Sequence, residues 1–263
     1  MIQLFDLAVG YASRRGDRRA VASGINAEAL PGQLTCLIGR NGTGKTTLLR
    51  TIARFLPALA GRVELCGRDA AHYARPLLAR TVSVVLTDRV YADEATARQV
   101  VALGRVPYTG FWGSLSAADR DAVDRAMHLA GVESLAARRF SSLSDGERQR
   151  VMVAKALAQE AKVMLLDEPA AHLDYPSRVE LTMLLRRLAV DTGTTVLLST
   201  HDLEVAIGTA HRLWVTHDGG MSQGTPQSLA ADGTLQRYVG GSAVSVDPDT
   251  LAVKIDVQHG DGK

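Results

Sequence analysis

Apolar and polar positions alternate weakly over residues 1–30, as in Ile2, Leu4, Val21 and Ile25. This predicts short strands joined by the Arg-rich segment Arg14–Arg19, read as a solvated hairpin loop. Residues 33–38, QLTCLI, form an apolar run that ends in glycine, and a helical pattern follows over 44–55. Residues 62–66 and 81–86 read as strands, and 94–103, 117–131 and 146–159 as helices. A buried strand, 163–166, then runs straight into two acids. A helix at 177–190, a strand at 194–199, a helix at 202–210 and a strand at 212–216 follow. Strands that alternate with helices predict a largely parallel sheet with helices on both faces. The helical block at 88–158 interrupts that alternation and reads as an inserted subdomain. In the tail, 240–263, the spacing of Val244, Val246, Leu251, Val253 and Ile255 suits one hairpin.

The length, 263 residues, suits one large domain or two small ones. A hydrophobic content of 46% with 22% charged residues is that of a soluble globular chain. Thirty basic against 28 acidic residues leave a formal +2, which gives no electrostatic argument for nucleic acid as a partner. No apolar run reaches the ~18 residues of a membrane span. The N-terminus, MIQLFDLAVGY, lacks the basic and apolar blocks of a signal peptide. Cys36 and Cys66 both lie in apolar strand-like runs and are expected to be reduced core residues.

The chemistry lies in short motifs. Gly39-Arg40-Asn41-Gly42-Thr43-Gly44-Lys45-Thr46 fulfils GxxxxGK[ST] between an apolar strand and a helical pattern. Glycines let backbone N–H groups curl around an anion, and the helix that starts there adds its positive dipole end. Lys45 supplies a point charge for β- and γ-phosphates, the Thr46 hydroxyl is placed to ligate Mg²⁺, and Thr47 adds a hydrogen bond to phosphate. Val163–Leu166 delivers Asp167 and Glu168 to the carboxyl end of a buried strand, where ligands bind in such sheets. Asp167 is placed to hold Mg²⁺, directly or through its waters, and Glu168 to polarise an attacking water as general base. A second apolar strand ends in Thr200-His201-Asp202, which puts His201 at the same edge to contact the γ-phosphate and steer water. Lys45, Glu168 and His201 are the expected catalytic set. Leu143-Ser144-Asp145-Gly146-Glu147 precedes a strong helix. Ser144 and Glu147 make a capping box, and the same helix start could bind a phosphate; spacing alone does not choose.

The order of cradle, LSDGE, LLDEP, AHLD and His201 resembles the nucleotide-binding subunit of ATP-binding cassette (ABC) transporters over residues 1–235. The resemblance implies an α/β P-loop NTPase cassette over 1–239. It has a mainly parallel sheet, an N-terminal antiparallel β subdomain and the inserted helical subdomain. It implies ATP with Mg²⁺, and two cassettes head to tail with two ATP molecules in their interface. Ser144 and Gly146 then contact the γ-phosphate held by the partner chain, and Asp174, in Ala171–Asp174, lies across the interface. Tyr11 matches the aromatic that stacks on adenine.

Two positions depart from the family pattern. Thr87 stands where glutamine is usual, with Asp88 beside it, and Asp145 replaces a signature glycine and must point away from phosphate. The segment Gly104-Arg105-Val106-Pro107-Tyr108 resembles that of importer ATPases for iron-siderophore, haem and cobalamin uptake. It is expected to be a loop, with Phe111 and Trp112 either docking a permease helix or packing inside. The implied partners are integral membrane permease subunits, a second ATPase subunit in a homodimer-like pair, whether identical or a paralogue, and, through the permease, a substrate-binding protein. The implied location is the cytoplasmic face of the membrane, peripherally. Two other classes compete. One is a soluble cassette ATPase of DNA repair or translation, disfavoured by the single cassette and the absence of sustained heptads. The other is the energising subunit of an exporter.

Overall fold

The structure is a computed structural model that describes residues 1–12, 18–86, 94–110, 113–217, 220–240 and 243–255. The chain begins with β1 (Ile2–Ala12), β2 (Arg18–Ala29), β3 (Leu34–Ile38), α1 (Lys45–Ile52), β4 (Ala60–Leu65) and β5 (Arg68–Asp69). Next come α2 (Arg75–Thr81), β6 (Val82–Val85), α3 (Ala97–Ala102), α4 (Ala117–Ala130), α5 (Asp145–Ala158) and β7 (Val163–Asp167). They are followed by α6 (Tyr175–Thr192), β8 (Thr195–Thr200), α7 (Leu203–Thr209), β9 (Arg212–His217) and β10 (Gly220–Gly224). Two short helices, α8 (Pro226–Ala231) and α9 (Thr234–Val239), lead to the hairpin β11 (Val244–Val246) and β12 (Val253–Ile255).

Six strands form the central sheet in the order β10-β9-β3-β8-β7-β6, parallel except where β10 folds back on β9. A second, antiparallel sheet has the order β2-β1-β4-β5. Side chains of a strand point alternately to its two faces. In the central sheet both faces are buried, and the alternation sorts the interior into two cores. Leu34, Cys36, Ile38, Met164, Leu166, Val196, Leu198, Leu213 and Val215 face one core. Leu37, Val163, Leu165, Leu197 and Trp214 face the other. On that second side Leu48, Leu49 and Ile52 of α1 fill the space between the central sheet and Ile2, Leu4, Leu7 and Ile25 of the antiparallel sheet. Each such side chain contributes about 1.5–3 kcal/mol by leaving water. The helix that follows the cradle is thus clamped on both sides.

The other core is covered by α5, α6 and α7, with α3 and α4 packed against α5. Capping boxes start α3 (Thr96 and Gln99), α4 (Ser116 and Asp119) and α5 (Ser144 and Glu147). The expected tail hairpin forms. Val246 is buried in the main core, and the Gln236 side chain accepts from Val246 N and donates to Val244 O.

Two expectations change, and one helix is added. Cys66 is not in the core. With Gly67 it makes the tight turn between β4 and β5, both at positive φ (52° and 79°), and its thiol is exposed. Cys36 is buried, and burial pushes its thiol up to about 12. The segment 75–81 is α2, a helix that the alternation did not reveal, with Pro76 in its first turn. The GRVPY segment is not a plain loop. Leu103–Arg105 is a 3₁₀ turn, and Arg105 is only 5% exposed. Its Nε donates to Asp119 Oδ1 (2.9 Å), and its Nη1 donates to Ala158 O and Glu160 Oε2 (both 2.7 Å). The guanidinium lies 3.9 Å from the centre of the Tyr108 ring, whose hydroxyl donates to Gln159 O. A Cβ at Gly104 would overlap Lys155 O. These residues hold the C-terminal end of α5. Arg14–Asp17, Thr87, Asp88, Phe111 and Trp112 lie outside the described residues.

At the start of β3, His211 Nδ1 accepts the Leu34 N–H (3.0 Å), which requires a neutral ring. Burial, then the charge of Arg186, lowers the His211 pKa. Above both the folded and unfolded values the ring is neutral in each state and its contribution to stability is intact. As pH falls through the unfolded value, about 6.5, the unfolded chain takes up the proton first and stability is lost. Urea unfolding followed from about pH 7.5 to 5.5 should therefore show a steeper loss in the wild type than in His211→Asn, which keeps an acceptor but cannot titrate.

Candidate nucleotide site

The turn after β3 is shaped by contacts that leave no room for side chains. A Cβ at Gly39 would overlap the Thr216 hydroxyl, and one at Gly44 (φ 94°) would sit 2.7 Å from Val21 Cγ1. Thr216 Oγ1 shares its one proton between Ile38 O (3.2 Å) and Thr43 Oγ1 (2.9 Å), fixing the loop from beneath. Arg40, Asn41, Gly42 and Thr43 complete the turn; Thr43 Oγ1 and Thr43 N both donate to Arg40 O. Gly44 caps α1 without a side-chain hydrogen bond, and no acid occupies the helix's first turn. The amides at this end therefore face outward with their dipole uncompensated, an anion site in form. Lys45 is buried there; its Nζ donates to Gly39 O (2.8 Å) and lies 3.5 Å from Glu168 Oε1. Tyr11 is half exposed at the margin, its hydroxyl 3.1 Å from Thr47 Oγ1.

The adjacent strand ends complete the edge. Asp167 Oδ1 accepts from Thr46 Oγ1 (3.2 Å) and from Ser199 Oγ (2.7 Å). Ser199 Oγ also accepts the Glu168 amide at 2.9 Å. Glu168 has φ 45°, in the left-handed region that a side chain disfavours. That turn takes the chain sharply out of β7 and leaves the Glu168 carboxylate between Lys45 and His201 Nδ1, which is 3.3 Å from Oε2. Backbone strain of this kind is kept where surrounding contacts enforce it. Thr46 and Asp167 together present hard oxygen donors, a set that fits a divalent cation retaining several waters.

Ser144 and Gly146 are elsewhere. They line a cleft with Leu173 and Ser177, beside the loop of Asp174, and none of the interactions among the described residues joins them to the cradle. Asp174 caps α6 by accepting Ser177 N–H (3.0 Å). Asp145 is exposed and paired with Arg148 Nη1 at 3.0 Å, which turns its carboxylate back onto its own helix. The start of α5 is thus separate from the cradle built around Lys45.

Ser199 and Thr216 were not singled out from the sequence. Ser199 stands opposite Asp167 in the β7–β8 register, and Thr216 follows Val215, the partner of Ile38 on β9. The available signal was a hydroxyl at the carboxyl end of an apolar strand, in VLLST and LWVT.

The sequence profile described as ABC transporter matches residues 22–171. The ferric enterobactin transport ATP-binding protein FepC of Escherichia coli is 32% identical over 255 residues, covering 97% of this chain and 92% of that protein. The hemin import ATP-binding protein HmuV of Streptomyces coelicolor is 37% identical over 218 residues, covering 82% of this chain and 77% of that protein. The solved structure of cbiO1 from Clostridium perfringens, part of the ABC transporter complex cbiONQ, aligns with a TM-score of 0.76 at 28% identity. It covers 90% of this chain and 93% of that chain.

Gly39→Ala should lower nucleotide affinity at least about tenfold in a fluorescence titration, because its methyl displaces the Thr216 hydroxyl that props the loop. Adding Thr216→Ala should recover part of that loss.

Proposed function

The chain belongs to the ABC transporter family, and from that premise we propose that it energises a membrane permease for uptake of iron-siderophore, haem or cobalamin type substrates. It is an ATPase whose hydrolysis is coupled to transport. The observation that carries the substrate class is near-full-length similarity to a ferric enterobactin transport subunit. The import and transport names of these relatives favour this reading over an exporter or a soluble repair ATPase.

In this reading the amides around Gly39–Gly44 bind the phosphates of ATP, with Lys45 on the β- and γ-phosphates, Thr47 adding a bond and Tyr11 stacking on adenine. Thr46 and Asp167 hold Mg²⁺, which supplies positive charge to the phosphates when bound. Glu168 accepts a proton from the attacking water, and His201, in contact with Glu168, orients that water toward the γ-phosphate. Ser144 and Gly146 of a second, identical ATPase subunit close over the γ-phosphate, and Asp174 crosses the same interface. The separation of Ser144 and Gly146 from the cradle within one chain supports this, since a single chain holds only half of each site. Closing and reopening of the pair drives the permease.

Docking to the permease uses the surface around the GRVPY segment. Arg80 Nε donates to Pro107 O at 3.0 Å and its guanidinium stacks on Tyr108, which joins α2 to that segment. Leu77, Leu103 and Val106 are exposed apolar residues flanking the junction. No helix among the described residues is long and apolar enough to cross a membrane. The protein works at the cytoplasmic face of the membrane, peripherally, through the permease and with a substrate-binding protein on the other side; nucleic acid is not a partner.

Two measurements test the reading. Glu168→Gln should retain ATP binding, lose at least about 10²-fold in kcat and accumulate as an ATP-bound dimer in size-exclusion chromatography. Normal turnover in that variant rejects the general-base assignment. Pull-down from detergent-solubilised membranes should recover a polytopic permease, and Val106→Glu should weaken that recovery while leaving ATP affinity unchanged. Recovery undiminished by Val106→Glu places docking elsewhere.

A further inference from the structure

Arg178 lies in the first turn of α6, four residues after Asp174. Its Nε donates to Leu173 O and its Nη1 to Asp202 Oδ2, both at 2.9 Å. One guanidinium therefore spans two loops. The first carries Leu173 and Asp174, whose side chain caps the same helix turn from which Arg178 projects. The second carries His201 and Asp202. Asp202 is itself fixed: its N–H donates to Thr200 Oγ1 (3.0 Å), and its Oδ1 accepts Val205 N–H (3.1 Å) to cap α7. The Arg178 and Asp202 side chains are 30% and 14% exposed, so the pair is partly shielded from solvent. Arg178, Asp202, His201 and Glu168 line one narrow cleft behind the acidic edge, where His201 Nδ1 is 3.3 Å from Glu168.

The geometry follows from what guanidinium does that other side chains do not. Its rigid planar fork donates in two directions at once, here to a backbone carbonyl and to a carboxylate. An ammonium is a single point charge on a flexible stem and cannot hold both contacts at fixed separation. A shift of the Asp174 loop thus moves the first turn of α6, the guanidinium rooted in it, and the Asp202 carboxylate beside His201.

We propose that Arg178 is a positioning residue that couples the Asp174 loop to His201, so that contact with the second subunit sets the geometry at Glu168. The inference rests on the reading that Asp174 faces that subunit and that Glu168 and His201 serve hydrolysis. Arg178 touches neither the cradle nor any group assigned to the phosphates, so its effect falls on turnover and not on binding.

The test measures ATP hydrolysis by the full chain, with its permease where the two copurify. The variants are Arg178→Gln, Arg178→Lys, Asp202→Asn, Asp174→Ala, and the double variants Arg178→Gln/Asp202→Asn and Arg178→Gln/Asp174→Ala. Arg178→Gln should lose at least tenfold in kcat with KM for ATP within twofold of wild type. Arg178→Lys should recover part of kcat, and each double variant should be no slower than its slower parent. A local structural brace predicts instead a lowered Tm with kcat unchanged, or losses that multiply in the double variants; either result overturns the proposal. A wild type that hydrolyses ATP alongside an unimpaired Arg178→Gln overturns only the coupling. A wild type without ATP hydrolysis, or Asp174→Ala without effect, overturns the underlying reading and the coupling with it.

Discussion

The shared hydrogen bonds of the Asp167 carboxylate tie the rest of the site together. Asp167 is buried at the end of a strand with apolar neighbours, where an unpartnered charge is strongly unfavourable. Its Oδ1 accepts from Thr46, at the start of the helix behind the phosphate loop, and from Ser199, on the neighbouring strand. One atom thereby fixes the distance between the loop that follows β3 and the end of β7. Ser199 extends the arrangement, because its oxygen also holds the Glu168 amide and so sets where the next carboxylate begins. Only the register that places Asp167 opposite Ser199 permits this. A slip of β8 by one residue would turn Ser199 away from Asp167 and exchange which core each β8 side chain faces.

What was legible in the sequence divides along the same line. The phosphate loop, the acidic pair and the LSDGE capping box are contiguous motifs whose chemistry depends on neighbours in the chain, and each forms the expected local structure. The parallel sheet was legible because short apolar runs recur between helical patterns. Ser199, Thr216 and Arg178 were not, because each acts through a neighbour supplied by a different element: Asp167 on β7, Gly39 after β3 and Asp202 before α7. Cys66 misled for a related reason. The run VELC reads as strand to its end, yet Gly67 allows a two-residue turn in which Cys66 itself takes positive φ, and the thiol is left outside.

Two residues at the site break local rules. Glu168 takes a left-handed backbone with a long side chain, and Gly44 starts a helix with no capping side chain. Helices α3, α4 and α5, away from the cradle, all begin with complete capping boxes. A capped N-terminus is electrically and sterically closed, whereas that of α1 presents free amides and a buried lysine. The same contrast separates the starts of α1 and α5. At the start of α5 the capping box satisfies two backbone donors.

Helix α5 is restrained at both ends. Fourteen residues at a rise of about 1.5 Å make α5 about 21 Å long. At its beginning Ser144 and Glu147 lock the first turn, and at its end Arg105 binds Ala158 O while stacked on Tyr108. Glu160, just past the helix, takes a left-handed conformation (φ 50°) and is held there by Arg105 and Arg125. Gly104 admits the close approach that this needs, since any side chain would meet Lys155 O. The GRVPY segment is therefore both surface and anchor: Val106 faces outward while Arg105 and Tyr108 grip the helix. Arg105 also pairs with Asp119 in the first turn of α4, so the 103–108 segment joins the C-terminal end of α5 to the start of α4.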